Sequence, residues 1–251
     1  MFLNYPPIFW VTAVIAVLLL GIAKAGFGGG PGFLVTPLVA LTISVSEAAA
    51  LLLPLFIFTD LLTLRQYKLN YDRPSISLML PSAIIGIVIG ALLFSTLSHN
   101  DRAMQIGIGL LSLIFLAYQI YKVQILGVFE AHRPPRTAGV LLSAAAGFTS
   151  MLAHAGGPLA TMYLLPQQLS RQIFVGTMVL FFTIVNLIKL IPYSFLGLLT
   201  IGNMAVVLVL APLCFVGVKL GVYLNGRFTD KWFNRVIYIV LFLTSIKLIR
   251  G

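Results

Sequence analysis

Negative charge is what this sequence has least of. Six aspartates and glutamates stand against 16 lysines and arginines in 251 residues, and charged residues of both signs make up only 9% of the chain. A soluble domain carries about 25%, so an ordinary water-soluble fold is excluded. Paired carboxylates for hydrolytic chemistry are hard to assemble from so few, and neither an HExxH nor a P-loop pattern occurs. The three histidines are widely separated, so no metal and no cofactor is expected, and catalysis has little to stand on. The one cysteine, Cys214, forbids an intrachain disulfide and reads as a small packing residue inside an apolar run.

Hydrocarbon fills the space left by charge. Sixty per cent of the residues are hydrophobic, and the mean hydropathy is +1.06. A spanning helix takes about 20 apolar residues, so the chain reads as an all-α polytopic membrane protein of roughly eight hydrophobic elements. Apolar runs occupy residues 8–23, 33–43, 48–64, 75–97, 103–121, 138–153, 159–165, 173–191, 201–224 and 233–249. The second and seventh are too short to span, and the first and sixth are borderline. No basic leader precedes the first run, which also has a later copy, so it reads as a retained helix and not as a cleaved signal. The net charge of +10 lies mostly in short loops. It is read as topology signals and surface anchors, with no nucleic-acid partner.

Two breaks interrupt the apolar runs. After Lys24 come Gly26, Gly28, Gly29, Gly30, Pro31 and Gly32. Interior glycines cost a helix roughly 1 kcal/mol each and proline roughly 3, so the helix must stop here. At membrane depth the freed backbone groups need neighbouring helices, a cavity or a ligand. A shorter copy, Gly156, Gly157 and Pro158, repeats Gly29, Gly30 and Pro31 127 residues later. A second pattern, Pro81 with Gly86 and Gly90, recurs as Pro212 with Gly217 and Gly221 at 131. The chain therefore divides into a first membrane repeat, residues 1–125, a basic cytoplasmic linker, 126–136, and a second membrane repeat, 137–251.

Charge orients the halves. The basic loops at 65–73 and 225–235 and the linker share the cytoplasmic side only if each half crosses an odd number of times. That predicts two inverted-topology repeats, each with a glycine-broken short-helix pair followed by three transmembrane helices, and both termini outside. Whether the short helices are re-entrant or cross fully stays open. Taking 8–43 as one crossing would give parallel halves and leave a basic loop outside.

Ionisable or polar side chains at membrane depth each need a reason. Lys24 is either a fixed positive charge for an anion at the helix start near Pro31 or a snorkelling lysine. Asp60 is a candidate proton carrier, counter-ion of Lys24 or structural partner of the break. Asn186 falls near the equivalent place in the second half and is placed opposite Asp60. His154, in the second break, is either a proton relay or a neutral histidine bonded to backbone. The backbone N–H groups of Gly28, Gly29, Gly30, Gly156 and Gly157 complete the candidate anion site. Lys189, three residues after Asn186 on the same helical face, reads as an interface anchor or as added positive potential, and Lys219 as a snorkelling or structurally paired lysine.

The run Gly26 to Pro31, with Pro37, with Glu47 followed by three alanines, and with the repeated Gly156, Gly157 and Pro158, resembles the TauE/SafE sulfite exporter family over nearly the whole chain. The resemblance implies outward transport of sulfite or small sulfonates. One departure is that the second break carries His154 and Ala155 before only two glycines, so the two half-sites need not be equal. The expected protein is thus a secondary transporter of the bacterial inner membrane. Its partners are a small anion, the lipid bilayer and a coupling proton or ion. A non-transporting membrane assembly protein and a cation transporter using Asp60 are the alternatives.

Overall fold

The computed structural model of the chain describes residues 5–27, 30–67, 70–97, 100–129, 134–199, 201–225 and 230–250. Among them the regular elements are all helical. In the first half α1 (Pro7–Phe27) is followed by a 3-10 segment (Gly30–Leu34) and the short α2 (Val35–Val39), then by the long helices α3 (Val45–Tyr67), α4 (Arg73–Leu97) and α5 (Asp101–Phe129). The second half runs α6 (Arg136–Ala153), short α7 (Gly157–Leu164), a 3-10 turn (Leu165–Gln167), then α8 (Arg171–Phe195), α9 (Ile201–Asn225) and α10 (Asp230–Arg250). Within the described residues, five helices are long and apolar enough to cross a membrane, namely α1, α3, α4, α8 and α9.

One expectation needs correcting. The helix before each break is not short: α1 has 21 residues and α6 has 18, about 31 and 27 Å at 1.5 Å per residue. Only the second member of each pair is short. The first helix continues through Lys24 because Gly26 is there for packing and does not act as a breaker. A Cβ on it would lie 3.0 Å from the Gly221 carbonyl oxygen of α9. The helix ends where consecutive glycines begin. The second break falls where the sequence places it, between Ala153 and Gly157, with His154 as a left-handed cap at φ 54°.

Small residues set the helix pairing. α1 lies along α9, and α4 lies along α6. A Cβ on Gly21 would meet the Gly217 backbone at 2.6 Å, and one on Gly86 would meet the Ala144 carbonyl at 1.8 Å. Backbones this close are what glycine at a membrane helix crossing provides. α3 packs on α8 and α5 on α10. Each of these four pairs joins the first part of the chain to the second, and both large buried apolar clusters draw on the two parts.

Side-chain contacts fix which helix ends are neighbours. The Asp101 carboxylate at the start of α5 accepts from Val45 N at the start of α3, at 3.0 Å, and Tyr5 donates to Glu47 at 2.5 Å. Burial, and then the Glu47 carboxylate, push the Tyr5 phenol well above its ordinary range, so it remains a donor. The Arg102 guanidinium reaches the carbonyls of Leu248 and Ile249 at the end of α10. The starts of α1, α3 and α5 and the end of α10 thus lie together. At the opposite end the Asp72 N–H donates to Thr177 at 2.8 Å, Gly176 abuts the Asn70 carbonyl, and Arg171 at the start of α8 donates to Gly26 O at 3.3 Å. α4 and α9 turn large apolar side chains outward, among them Ile85, Val88, Leu92, Leu208 and Val209, a surface suited to lipid and not to water.

Candidate functional site

The charged side chains buried among the described residues are Lys24, Asp60 and Lys189. They meet at the centre of the molecule, where α1, α3, α6 and α8 come together beside the two breaks. Each arrives by helical spacing. Lys24 sits in the last turn of α1, Asp60 and Phe56 lie one turn apart on α3, and Asn186 and Lys189 lie three apart on one face of α8.

The first half of the network is an ion pair. The Lys24 ammonium is in direct contact with Asp60 Oδ1, and Asn186 Nδ2 donates to Asp60 Oδ2 at 2.8 Å. Both carboxylate oxygens therefore have a donor. Lys24 Nζ also stands 4.6 Å from the centre of the Phe56 ring, within cation–π range.

The second half has a cation and no carboxylate of its own. Lys189 Nζ lies 2.6 Å from His154 Nδ1, 3.3 Å from Ser150 Oγ and 3.4 Å from Asn186 Oδ1. The other imidazole nitrogen, His154 Nε2, is 2.9 Å from the Ala49 carbonyl oxygen. A carbonyl only accepts, so Nε2 carries the proton and Nδ1 is left to accept from the lysine. These bonds assign His154 as a neutral Nε2–H tautomer, stacked on Phe56 with ring centres 4.4 Å apart. Its left-handed backbone turns the side chain from the end of α6 back towards α3 and α8.

Corresponding contacts flank the network in the two halves. Tyr67 of α3 donates to Ala25 O of α1 at 2.5 Å, and Tyr193 of α8 donates to Met151 O of α6 at 3.0 Å, the two bonds each spanning 42 residues. Asp60 and Asn186, which bond to each other, are 126 residues apart. That spacing also relates Phe56 to Phe182 and Lys24 to Ser150. These side chains all border a cavity lined by Lys24, Gly32, Phe56, Ser150, His154, Gly157, Phe182 and Asn186, save Asp60, which is held behind it. The free volume is about 20 Å³, against the ~10–15 Å³ needed by one water. The cavity has room for little more than a water. A larger one, about 180 Å³ beside α5, is bounded by Phe33, Phe115, Pro158, Leu159 and Met162 and has no charged lining residue. The one polar side chain in its lining is the Ser112 hydroxyl.

Of the residues singled out in the sequence, Lys24, Asp60, Asn186 and His154 come together, and Gly157 lines the cavity with them. Gly156 stands just behind, too close to the Ala146 carbonyl for any side chain, at 2.4 Å to a Cβ. Gly28 and Gly29 lie outside the described residues, and Gly30 opens the 3-10 segment. Lys189 is no interface anchor: it is fully buried in the network. Lys219 is exposed on α9, its ammonium 4.4 Å from the Phe215 ring. Ser150, Phe56 and Phe182 escaped the sequence reading. The 126-residue spacing from Lys24 to Ser150 is the signal that could have found the first of them.

The family model for the sulfite exporter TauE/SafE matches residues 13–248. No curated protein matches, and no solved structure does.

Proposed function

We propose a function from one premise, that the chain belongs to the TauE/SafE sulfite exporter family. It is a secondary transporter of the bacterial cell membrane that exports sulfite or a small sulfonate. The observation that carries this reading is the buried cluster of two lysines and one aspartate at a small cavity beside both helix breaks. A charge buried in a protein interior costs several kcal/mol unless it is paired or used, and Lys189 has no carboxylate of its own.

In this reading Lys24, Asn186 and Ser150 face the anion, with the α7 start at Gly157 and the first break at Gly28, Gly29 and Gly30 adding backbone N–H groups. Gly156 lets α7 come close enough to α6. Asp60 holds Lys24 when the cavity is empty. A cation site at Asp60 is disfavoured, because Lys24 and Asn186 already occupy its oxygens.

The transporter is built of two inverted repeats, residues 1–125 and 137–251, joined by the linker 126–136. Three features support this. Exchanging the halves turns the α1–α9 pair into α6–α4, and leaves α3–α8 and α5–α10 as pairs. The starts of α3 and α5 lie at the end of the molecule opposite the start of α8. Finally, the basic segments 65–73, 126–136 and 225–235 would then share one side of the membrane. Alternating access between two such halves around a fixed midplane site is the mechanism that follows.

The test is transport by purified protein in liposomes loaded with labelled sulfite or a labelled small sulfonate. Counterflow of either supports the reading. Absence of counterflow across a broad anion panel, with protein that is folded and inserted, sinks it.

A further inference from the structure

The two halves supply equivalent positions with different charges. At the 126-residue spacing Lys24 corresponds to Ser150, Asp60 to Asn186 and Thr63 to Lys189. The first half therefore holds a neutral ion pair, and the second half holds a lone cation among neutral acceptors. His154, which donates from Nε2 to Ala49 O and accepts from Lys189 at Nδ1, is neutral. Arg171, the other cation near the break, is exposed at the start of α8, where water screens it. With all three ionised, the two buried lysines and one buried aspartate leave a single positive charge in excess.

Donors are in excess as well. Each ammonium has three N–H groups, and the Asn186 amide has two. Lys189 spends all three on His154, Ser150 and Asn186, whereas Lys24 spends one on Asp60 and Asn186 spends one on the other Asp60 oxygen. Among the described residues, the remaining N–H groups of Lys24, one of Asn186 and the hydroxyl proton of Ser150 have no acceptor. All three residues line the cavity. Lys189 itself does not line it. Its charge reaches the cavity through its three acceptors, each of which is a lining residue.

We infer that the Lys24, Asp60 and Lys189 triad is a valence filter: Lys189 matches the site to anions of one negative charge, and Asp60 excludes those of two. This inference rests on the anion-transport reading above and narrows its cargo to the singly charged sulfonate, the doubly charged sulfite ion being excluded. A singly charged oxyanion without an O–H group neutralises the excess and takes up the free donors. A doubly charged one leaves a net negative charge buried against Asp60, where low dielectric makes repulsion strong. Lys189 is a positioning residue, acting through Ser150, His154 and Asn186.

Methanesulfonate and sulfate, tetrahedral anions of similar size and different charge, are the probes. Affinity is read from the shift in unfolding temperature of the detergent-purified protein with concentration. The parent is expected to prefer methanesulfonate by at least ten-fold. Asp60→Asn, which raises the site to two excess charges, should cut that preference by ten-fold or more or invert it. Lys189→Gln should weaken methanesulfonate by at least ten-fold. If Asp60→Asn does not fold, the double variant Lys24→Gln with Asp60→Asn removes the ion pair whole and keeps one excess charge from Lys189. It should bind more weakly with the parental ranking.

A parent that prefers sulfate overturns the filter, as does an unchanged ratio in Asp60→Asn or a reversed ranking in the double variant. In each of those cases anions still bind and the transport reading stands. If neither probe nor any other anion binds the folded parent, the anion site itself is wrong and the filter falls with it.

Discussion

Asp60 is bound on both oxygens inside a fully buried site, and Lys24 is the partner that makes its charge tolerable. Removing one member of such a pair leaves an uncompensated charge, at a cost of about 3–5 kcal/mol, whereas replacing both by apolar groups is often neutral. Lys24→Met should therefore lower stability by that amount and abolish transport. Lys24→Met with Asp60→Leu should recover most of the stability and none of the transport. Thermal unfolding in detergent beside counterflow in liposomes separates the two effects. Four polar members of this cluster, Lys24, Asp60, His154 and Asn186, were legible in the sequence because each is an expensive group inside an apolar run. Lys189 was not, for a physical reason. It falls at residue 189 of a run that ends at 191, just where a lysine can reach the interface. In the structure α8 continues through Pro192 to Phe195, which carries Lys189 nearly two turns inside.

At the scale of elements, glycines with the same helix context have opposite meanings. Gly86 on α4 would place a Cβ 1.8 Å from the Ala144 carbonyl of α6, while Gly107 on α5 would place one in open space. Gly86→Ala must push α4 off α6, which costs at least the 1–3 kcal/mol typical of overpacking, and should lower the unfolding temperature. Gly107→Ala meets nothing and should raise stability by about 0.5–1 kcal/mol through lost backbone freedom in the unfolded chain. A gain from Gly86→Ala would refute the crossing geometry. Sequence spacing marked Gly86 and Gly90 as counterparts of Gly217 and Gly221 without showing what they touch, because contact between distant helices leaves no local periodicity. The same limit explains the misjudged length of α1. A glycine required by a neighbour, such as Gly26, is spelled like one that ends a helix.

For the whole molecule the decisive question is the sense of the two halves in the membrane. Tyr71 follows α3, and Ser194 stands in the last turn of α8, which the proposed repeat pairs with α3. Both are exposed. Inverted halves place these two positions on opposite sides, and parallel halves place them on the same side. In the proposed topology the basic segment 65–73 puts Tyr71 on the cytoplasmic side. In a Cys214→Ala background, Ser194→Cys should react with a membrane-impermeant thiol reagent on intact cells. Tyr71→Cys should react only after the membrane is opened. Asn100→Cys, at the other end of the 25-residue α4, should follow Ser194. If Tyr71 labels from outside while Ser194 and Asn100 do not, the halves are still inverted and the charge rule has been read the wrong way round. Labelling of Tyr71 and Ser194 from the same side removes the inverted architecture. Alternating access would then need a different pair of moving bodies around the lysine cluster, whose contacts do not depend on the direction in which the chain is inserted.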